Sequence, residues 1–227
     1  MKQPANSVDA ARLAAVIDKE IKLLPRRNAP SIRAMRRKYS RMLEQASPTS
    51  LFRLATELCK VDDYRWFAYE LLQGHRAAFG RLGPVELERL GAGINSWWTV
   101  DAFARTLSGP AWLHRQIPDR LILQWARSSD RWWRRAALVS TVALNVRSHG
   151  GKGDVPRTLR ICRVLAGDHE DMVAKALSWA LRQLIVHDAR AVQGFLKTYD
   201  EVLAARVKRE VRSKLRTGLK TPGRKGN

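Results

Sequence analysis

The sequence predicts an all-α protein built from stacked helix pairs, and three observations carry that prediction. Period-two alternation is nearly absent, while apolar residues recur at spacings of three and four along the chain. Seven prolines from Pro25 to Pro156 fall between apolar-periodic blocks or at their starts, where a helix tolerates a residue without an N–H. The blocks also resemble one another.

Taken in order, helices are predicted near residues 7–24, 31–46, 50–61, 63–79, 84–93, 96–107, 110–117, 119–127, 130–146, 156–166, 169–187, 189–198 and 200–217. Pro25 and Pro30 part the first two, and Pro48 precedes the third. Pro84, Pro110 and Pro156 open theirs, and Pro118 leads into 119–127. The remaining helices rest on apolar spacing alone. Most connections are so short that consecutive helices must run antiparallel.

Asp63-Tyr-Arg-Trp-Phe-Ala-Tyr-Glu-Leu-Leu resembles Asp130-Arg-Trp-Trp-Arg-Arg-Ala-Ala-Leu-Val, and both resemble Glu170-Asp-Met-Val-Ala-Lys-Ala-Leu-Ser-Trp. Placing Arg135-Ala136 on Lys175-Ala176 gives a period of 40 residues, and Asp101 lies 34 before Arg135. A drifting period of this size with a helix pair per unit predicts a HEAT-like solenoid with a basic concave face. The alternative is an irregular helical bundle. Residues 1–217 are expected to form one such domain, followed by a basic, disordered tail over 218–227.

Across 227 residues, 42 Lys+Arg oppose 21 Asp+Glu, a formal net charge of +21, and 45% of residues are hydrophobic. That apolar content excludes a disordered polycation, and the charge asks for a polyanionic partner. Arg26 to Arg41 holds seven cations and no acid, while Arg206 to Asn227 holds nine against Glu210; together they carry 15 of the 21 net charges. Cys59 and Cys162 stand far apart with no Cys/His spacing beside them, which excludes a disulfide-dense module and argues against structural zinc. No metal and no cofactor are expected. The start of the chain lacks the apolar core of a signal peptide, and the longest uncharged stretch, Ala136 to Val146, is too short to span a bilayer. A cytoplasmic, nucleoid-associated monomer with no membrane partner is expected.

Eight tryptophans are the second oddity. In Ser96-Trp97-Trp98-Thr99-Val100-Asp101, Trp97 and Asp101 are i and i+4 and so share a helical face. Trp132-Trp133 precede Arg134-Arg135 one unit later, and Lys175, Trp179 and Arg182 lie near one stripe of the next. Stacked, these helices would line a wall with Trp97, Asp101, Arg135 and Trp179. Indole faces attract cations, and a purine alkylated at a ring nitrogen is a flat cation. Breaking its glycosidic bond leaves an oxocarbenium-like sugar that a fixed carboxylate stabilises. Arginine would hold the flanking phosphate.

Trp97-Trp98-Thr99-Val100-Asp101, Arg135-Ala136-Ala137 and Lys175-Ala176-Leu177-Ser178-Trp179-Ala180-Leu181-Arg182 resemble the AlkD-type DNA alkylation repair family, from about Ser31 to Leu203. The resemblance implies a HEAT-like-repeat DNA glycosylase that excises N3- and N7-alkylated purines from duplex DNA without metal, cofactor or base flipping. It implies Asp101 as the catalytic carboxylate, and Trp97 and Trp179 on the deoxyribose of the lesion. It also implies Arg135 on the DNA backbone near the site, and Arg134, Lys175 and Arg182 are expected to bind backbone as well. Trp98 stands where a polar residue is usual in the family.

Other signals point elsewhere or nowhere. Leu82-Gly83-Pro84 to Gly93 is expected to be loop, short helix and loop rather than a glycine hairpin. His149 to Asp154 lacks the pattern of a nucleotide loop and is expected to be a flexible inter-repeat connection. His75, His114 and His187 are read as ordinary helix histidines. A non-catalytic DNA- or RNA-binding module is the alternative function, and a protein-binding scaffold a third. A steep salt dependence would separate the nucleic-acid readings from the scaffold.

Overall fold

The computed structural model describes residues 9–221, which form helices and connecting turns with no strand among them. They divide between Ile94 and Asn95 into two compact units.

The first unit holds α1 (Ala10–Lys22), α2 (Ala29–Met42), α3 (Pro48–Leu58), α4 (Arg65–Gly74), α5 (Arg76–Phe79) and α6 (Pro84–Gly91). Local chemistry sets the starts. Asp9, Asn28 and Ser47 each accept an N–H of the first turn, and Pro30 and Pro48 fall at the first helical positions. α1 packs on α3, and α4 on both α2 and α3, closing a core that includes Ile17, Tyr39, Leu54 and Phe67. The single helix expected over 63–79 is two. His75 turns extended, and its Nδ1 accepts the Ala78 N–H to cap α5. Pro84–Gly91 forms the short helix expected there.

The second unit begins with α7 (Trp97–Phe103), which runs through a π-helical turn (Ala104–Ser108) into α8 (Gly109–Leu113). Two helices expected over 96–107 and 110–117 are thus one continuous run. Pro110 brings no N–H for the i−4 carbonyl, and the wider turn before it carries the chain past that gap. Then follow α9 (Asp119–Ala126), α10 (Arg131–Asn145), α11 (Val155–Val164), α12 (Asp171–Leu184), α13 (Ala189–Thr198) and α14 (Ala205–Thr217). The α7–α8 run, α10, α12 and α14 form a row in which each packs on the next, while α9, α11 and α13 back that row. This repeat-like packing is that of a HEAT-like solenoid.

The repeat is visible in the bonds that tie the row together. Ser108 and Ser140 hydroxyls meet at 2.7 Å, 32 residues apart, and the Ser178 hydroxyl donates to Glu210 at 2.7 Å, again 32 apart. Between α8 and α10 there is no room for a side chain at Gly109, where a Cβ would lie 2.7 Å from the Ala104 carbonyl and 2.9 Å from the Ala143 Cβ.

Two connections differ from expectation. The 149–154 segment is packed rather than free. A Cβ on Gly151 would lie 2.5 Å from the Ala143 carbonyl, and one on Gly153 2.5 Å from the His187 ring, with φ of +89° at Gly153. The helix expected from 200 begins at Ala205, because residues 199–204 turn with Leu203 buried. Of the tail expected over 218–227, residues 218–221 fold back on α14, and 222–227 lie outside the described residues.

Candidate DNA site on the second unit

The start of α7 is fixed by a reciprocal cap. The Ser96 hydroxyl accepts the Thr99 N–H at 3.4 Å, and the Thr99 hydroxyl accepts the Ser96 N–H at 3.2 Å. Asp130 caps α10 through the Trp132 N–H, and Glu170 caps α12 through the N–H groups of Met172 and Val173. These caps set a common register: Asp101, Arg135 and Lys175 are each the fifth residue of their helix.

Because α7, α10 and α12 are neighbours, the three fifth positions come together. The Arg135 Nε and Nη2 each donate to one oxygen of Asp101 at 2.9 Å, and Nη1 donates to the Met172 carbonyl at 2.5 Å. The Arg135 side chain is 7% exposed and that of Asp101 17%. Burial pushes the Asp101 carboxyl above its ordinary value, and Arg135 opposes the shift without cancelling it. Arg135, expected on DNA backbone, therefore spends its guanidinium on Asp101 and a main-chain carbonyl.

Beside this pair lies a cleft of about 420 Å³ lined by Trp97, Arg135, Met172, Lys175, Trp179, Arg182 and Lys220. Asp101 is not itself in the lining and meets the cleft through Arg135. Trp97 is 57% exposed, whereas Trp179 is half-buried. The Arg105 guanidinium lies over the Trp179 ring, 5.7 Å from its centroid. One indole face is thus already occupied by a cation of the protein.

Trp112, Trp132 and Trp133 do not line the cleft. Trp133, half-buried, packs on Phe103 and Trp125 of the core, with ring centroids 5.9 and 4.8 Å away. Trp112 is buried and donates to Asp119. Trp132 lies under the Arg131 guanidinium.

The expected backbone-binding cations are placed unevenly. Lys175 lines the cleft with its ammonium 2.6 Å from Asp171. Arg182 lines it too, donating to the Ser178 hydroxyl at 3.2 Å and lying 3.9 Å from Glu210. Arg134 points away: its Nε donates to Asp168 at 2.7 Å and its Nη1 to the carbonyls of Ser128 and Ser129. It ties two inter-helix turns together.

Sequence reasoning missed Arg105, Lys220 and the buried Glu210. Arg105 was findable as i+4 from Asp101. Lys220 was not, because a left-handed turn at Gly218 (φ 74°) brings it back.

Among the described residues no three His, Cys, Asp or Glu side chains gather so as to hold a metal ion, and no helix is long and apolar enough to cross a membrane. His187 bonds the Asn145 carbonyl and His75 caps a helix, so neither is placed as a base.

Stacked helix pairs carrying a carboxylate–guanidinium pair beside a cationic, indole-walled cleft define a helical-repeat protein suited to a polyanion. The model of the DNA alkylation repair enzyme family matches residues 1–215, and the chain belongs to that family, the AlkD-type DNA alkylation repair proteins. A search of curated proteins finds no match.

Proposed function

We propose that the protein is a DNA glycosylase that hydrolyses the N-glycosidic bond of N3- and N7-alkylated purines in duplex DNA. The observation that carries this reading is the Asp101 carboxylate, both of whose oxygens are held by one edge of the Arg135 guanidinium, next to a cleft walled by Trp97 and Trp179.

An alkylated purine is a cation, so its departure is easy electrostatically: the C1′–N bond breaks and its electron pair leaves with a neutral base. The sugar becomes the cation. Asp101 stands behind the lining and keeps 17% of its side chain exposed, and in this reading that open part stabilises the developing charge; each oxygen accepts one bond from Arg135 and keeps a lone pair for the sugar or for water. Water adds to C1′, its proton passes to the carboxylate, and the abasic sugar carries the new hydroxyl. Arg135 orients the carboxylate; Trp97 and Trp179 pack on the deoxyribose.

Four cationic side chains line the cleft, and Arg105 already covers part of Trp179. A cationic base would be repelled there, whereas a sugar-phosphate backbone would be attracted. This supports a base that stays in the duplex while the backbone enters the cleft. The test is release of methylated purine from alkylated duplex DNA by wild type and Asp101→Asn. Salt-dependent binding of duplex without base release by the wild type would instead make the chain a non-catalytic nucleic-acid module.

A further inference from the structure

Glu210 is a buried carboxylate, its side chain 7% exposed, on α14 behind the cleft. It accepts the Ser178 hydroxyl and lies within 3.5 Å of Arg206, 3.9 Å of Arg182 and 3.7 Å of Lys220. Asp171 takes Lys175 at 2.6 Å and Arg206 again at 3.5 Å. Four cations therefore share two acids, and three of them, Lys175, Arg182 and Lys220, line the cleft. The excess positive charge is aimed, not merely present, because Glu210 and Asp171 hold these cations without lining the cleft themselves.

Lys220 reaches this cluster by a built path. Gly218 adopts the left-handed conformation after α14 and lets the chain reverse. The Ser213 hydroxyl then donates to the Leu219 carbonyl at 3.0 Å, the Leu219 N–H donates to the Thr217 hydroxyl at 3.1 Å, and the Lys214 ammonium bonds the Gly218 carbonyl. Three bonds thus fix the return that delivers one ammonium to the cleft.

We propose that residues 218–221 complete a phosphodiester subsite of the cleft, in which Lys220 and Arg182, positioned by Glu210, hold one phosphate of duplex DNA. The subsite rests on the DNA-binding part of the function proposed above and not on its glycosylase chemistry. When phosphate enters, the long 3.7 and 3.9 Å contacts to Glu210 give way to charge-assisted bonds to phosphate oxygens, while Glu210 keeps the Ser178 hydroxyl. Lys220 is a positioning residue for the backbone and touches no reacting atom.

The experiment measures binding of a fluorescein-labelled, unmodified duplex over a salt series, with full-length wild type, Lys220→Ala, Lys220→Arg and Lys197→Ala. Lys197 is exposed on α13, in the layer that backs the row, and controls for lost charge. Lys220→Ala is expected to lose affinity several-fold and to lower the log–log salt slope by about 0.9, one phosphate contact. Lys220→Arg should retain the slope, and Lys197→Ala should leave it unchanged. Equal behaviour of Lys220→Ala and wild type, or of Lys220→Ala and Lys197→Ala, overturns the proposal, as does wild type that binds without salt dependence. Inorganic phosphate titrated at constant ionic strength should displace no duplex; displacement from wild type alone would mark a free-anion site and overturn the assignment to DNA. If the slope change is found but wild type releases no alkylated base, the subsite stands and the glycosylase reading falls.

Discussion

Arg135 grips Asp101 from the equivalent position of the next inner helix, with both carboxylate oxygens held at 2.9 Å and the third guanidinium nitrogen on the Met172 carbonyl. A single residue thus joins α7, α10 and the start of α12, so the geometry of the site and the packing of the row are set together.

Removing Arg135 should cost stability as well as activity. Arg135→Ala leaves a largely buried carboxylate without its partner, and breaking such a pair costs roughly 3 kcal/mol. Urea unfolding of the variant should show that loss. Arg135→Lys should recover part of the stability and little of the base release, because an ammonium cannot span both oxygens.

The pH dependence follows from the sign of the Asp101 shift. Burial raises its pKa above the ordinary 3.8, so the carboxylate begins to protonate at a higher pH than an exposed aspartate would. The ionised form is the working one, and kcat/KM for base release should fall on acidification along a limb above 3.8. Since Arg135 lowers this pKa, Arg135→Lys should move the limb to higher pH through its weaker grip. An acid limb unchanged in that variant would separate the limb from Asp101.

Tryptophan substitutions should divide by location. Trp97→Ala removes an exposed indole and should change stability by less than about 0.5 kcal/mol while weakening base release. Trp112→Ala empties a buried site and should cost about 3–5 kcal/mol. Thermal or urea unfolding beside a base-release assay reads both.

Gly109 tests the packing of the row. Gly109→Val must displace the Ala104 and Ser140 carbonyls, 2.7 and 3.0 Å from the new Cβ, and should destabilise by about 1–3 kcal/mol. The helix that moves carries Asp101, so base release should fall further than folded fraction alone would give.

Glu170 and Pro48, a capping acid and a proline each ahead of an apolar period, mark starts that the structure keeps within two residues of the expectation. The junction at Pro110 was not legible. Proline there reads as a helix start, and only packing against α10 shows that a π turn carries the chain through it. In the site, the 34-residue spacing of Asp101 and Arg135 was visible, but not that they bind each other; a repeat period gives neighbours, not rotamers. Nothing in Trp132-Trp133 told the two indoles apart, yet Trp133 packs on Phe103 and Trp125 while Trp132 lies under Arg131. Lys220 carried no signal because a run of cations at the end of a chain looks like a tail until Gly218 turns it.

The most direct measurement is release of 7-methylguanine or 3-methyladenine from alkylated duplex DNA, with binding of the same duplex followed in parallel. Wild type should release base, and Asp101→Asn should release it about 100- to 1,000-fold more slowly with DNA affinity largely kept, because only charge that matters in the transition state is lost. Equal rates for wild type and Asp101→Asn would contradict the account.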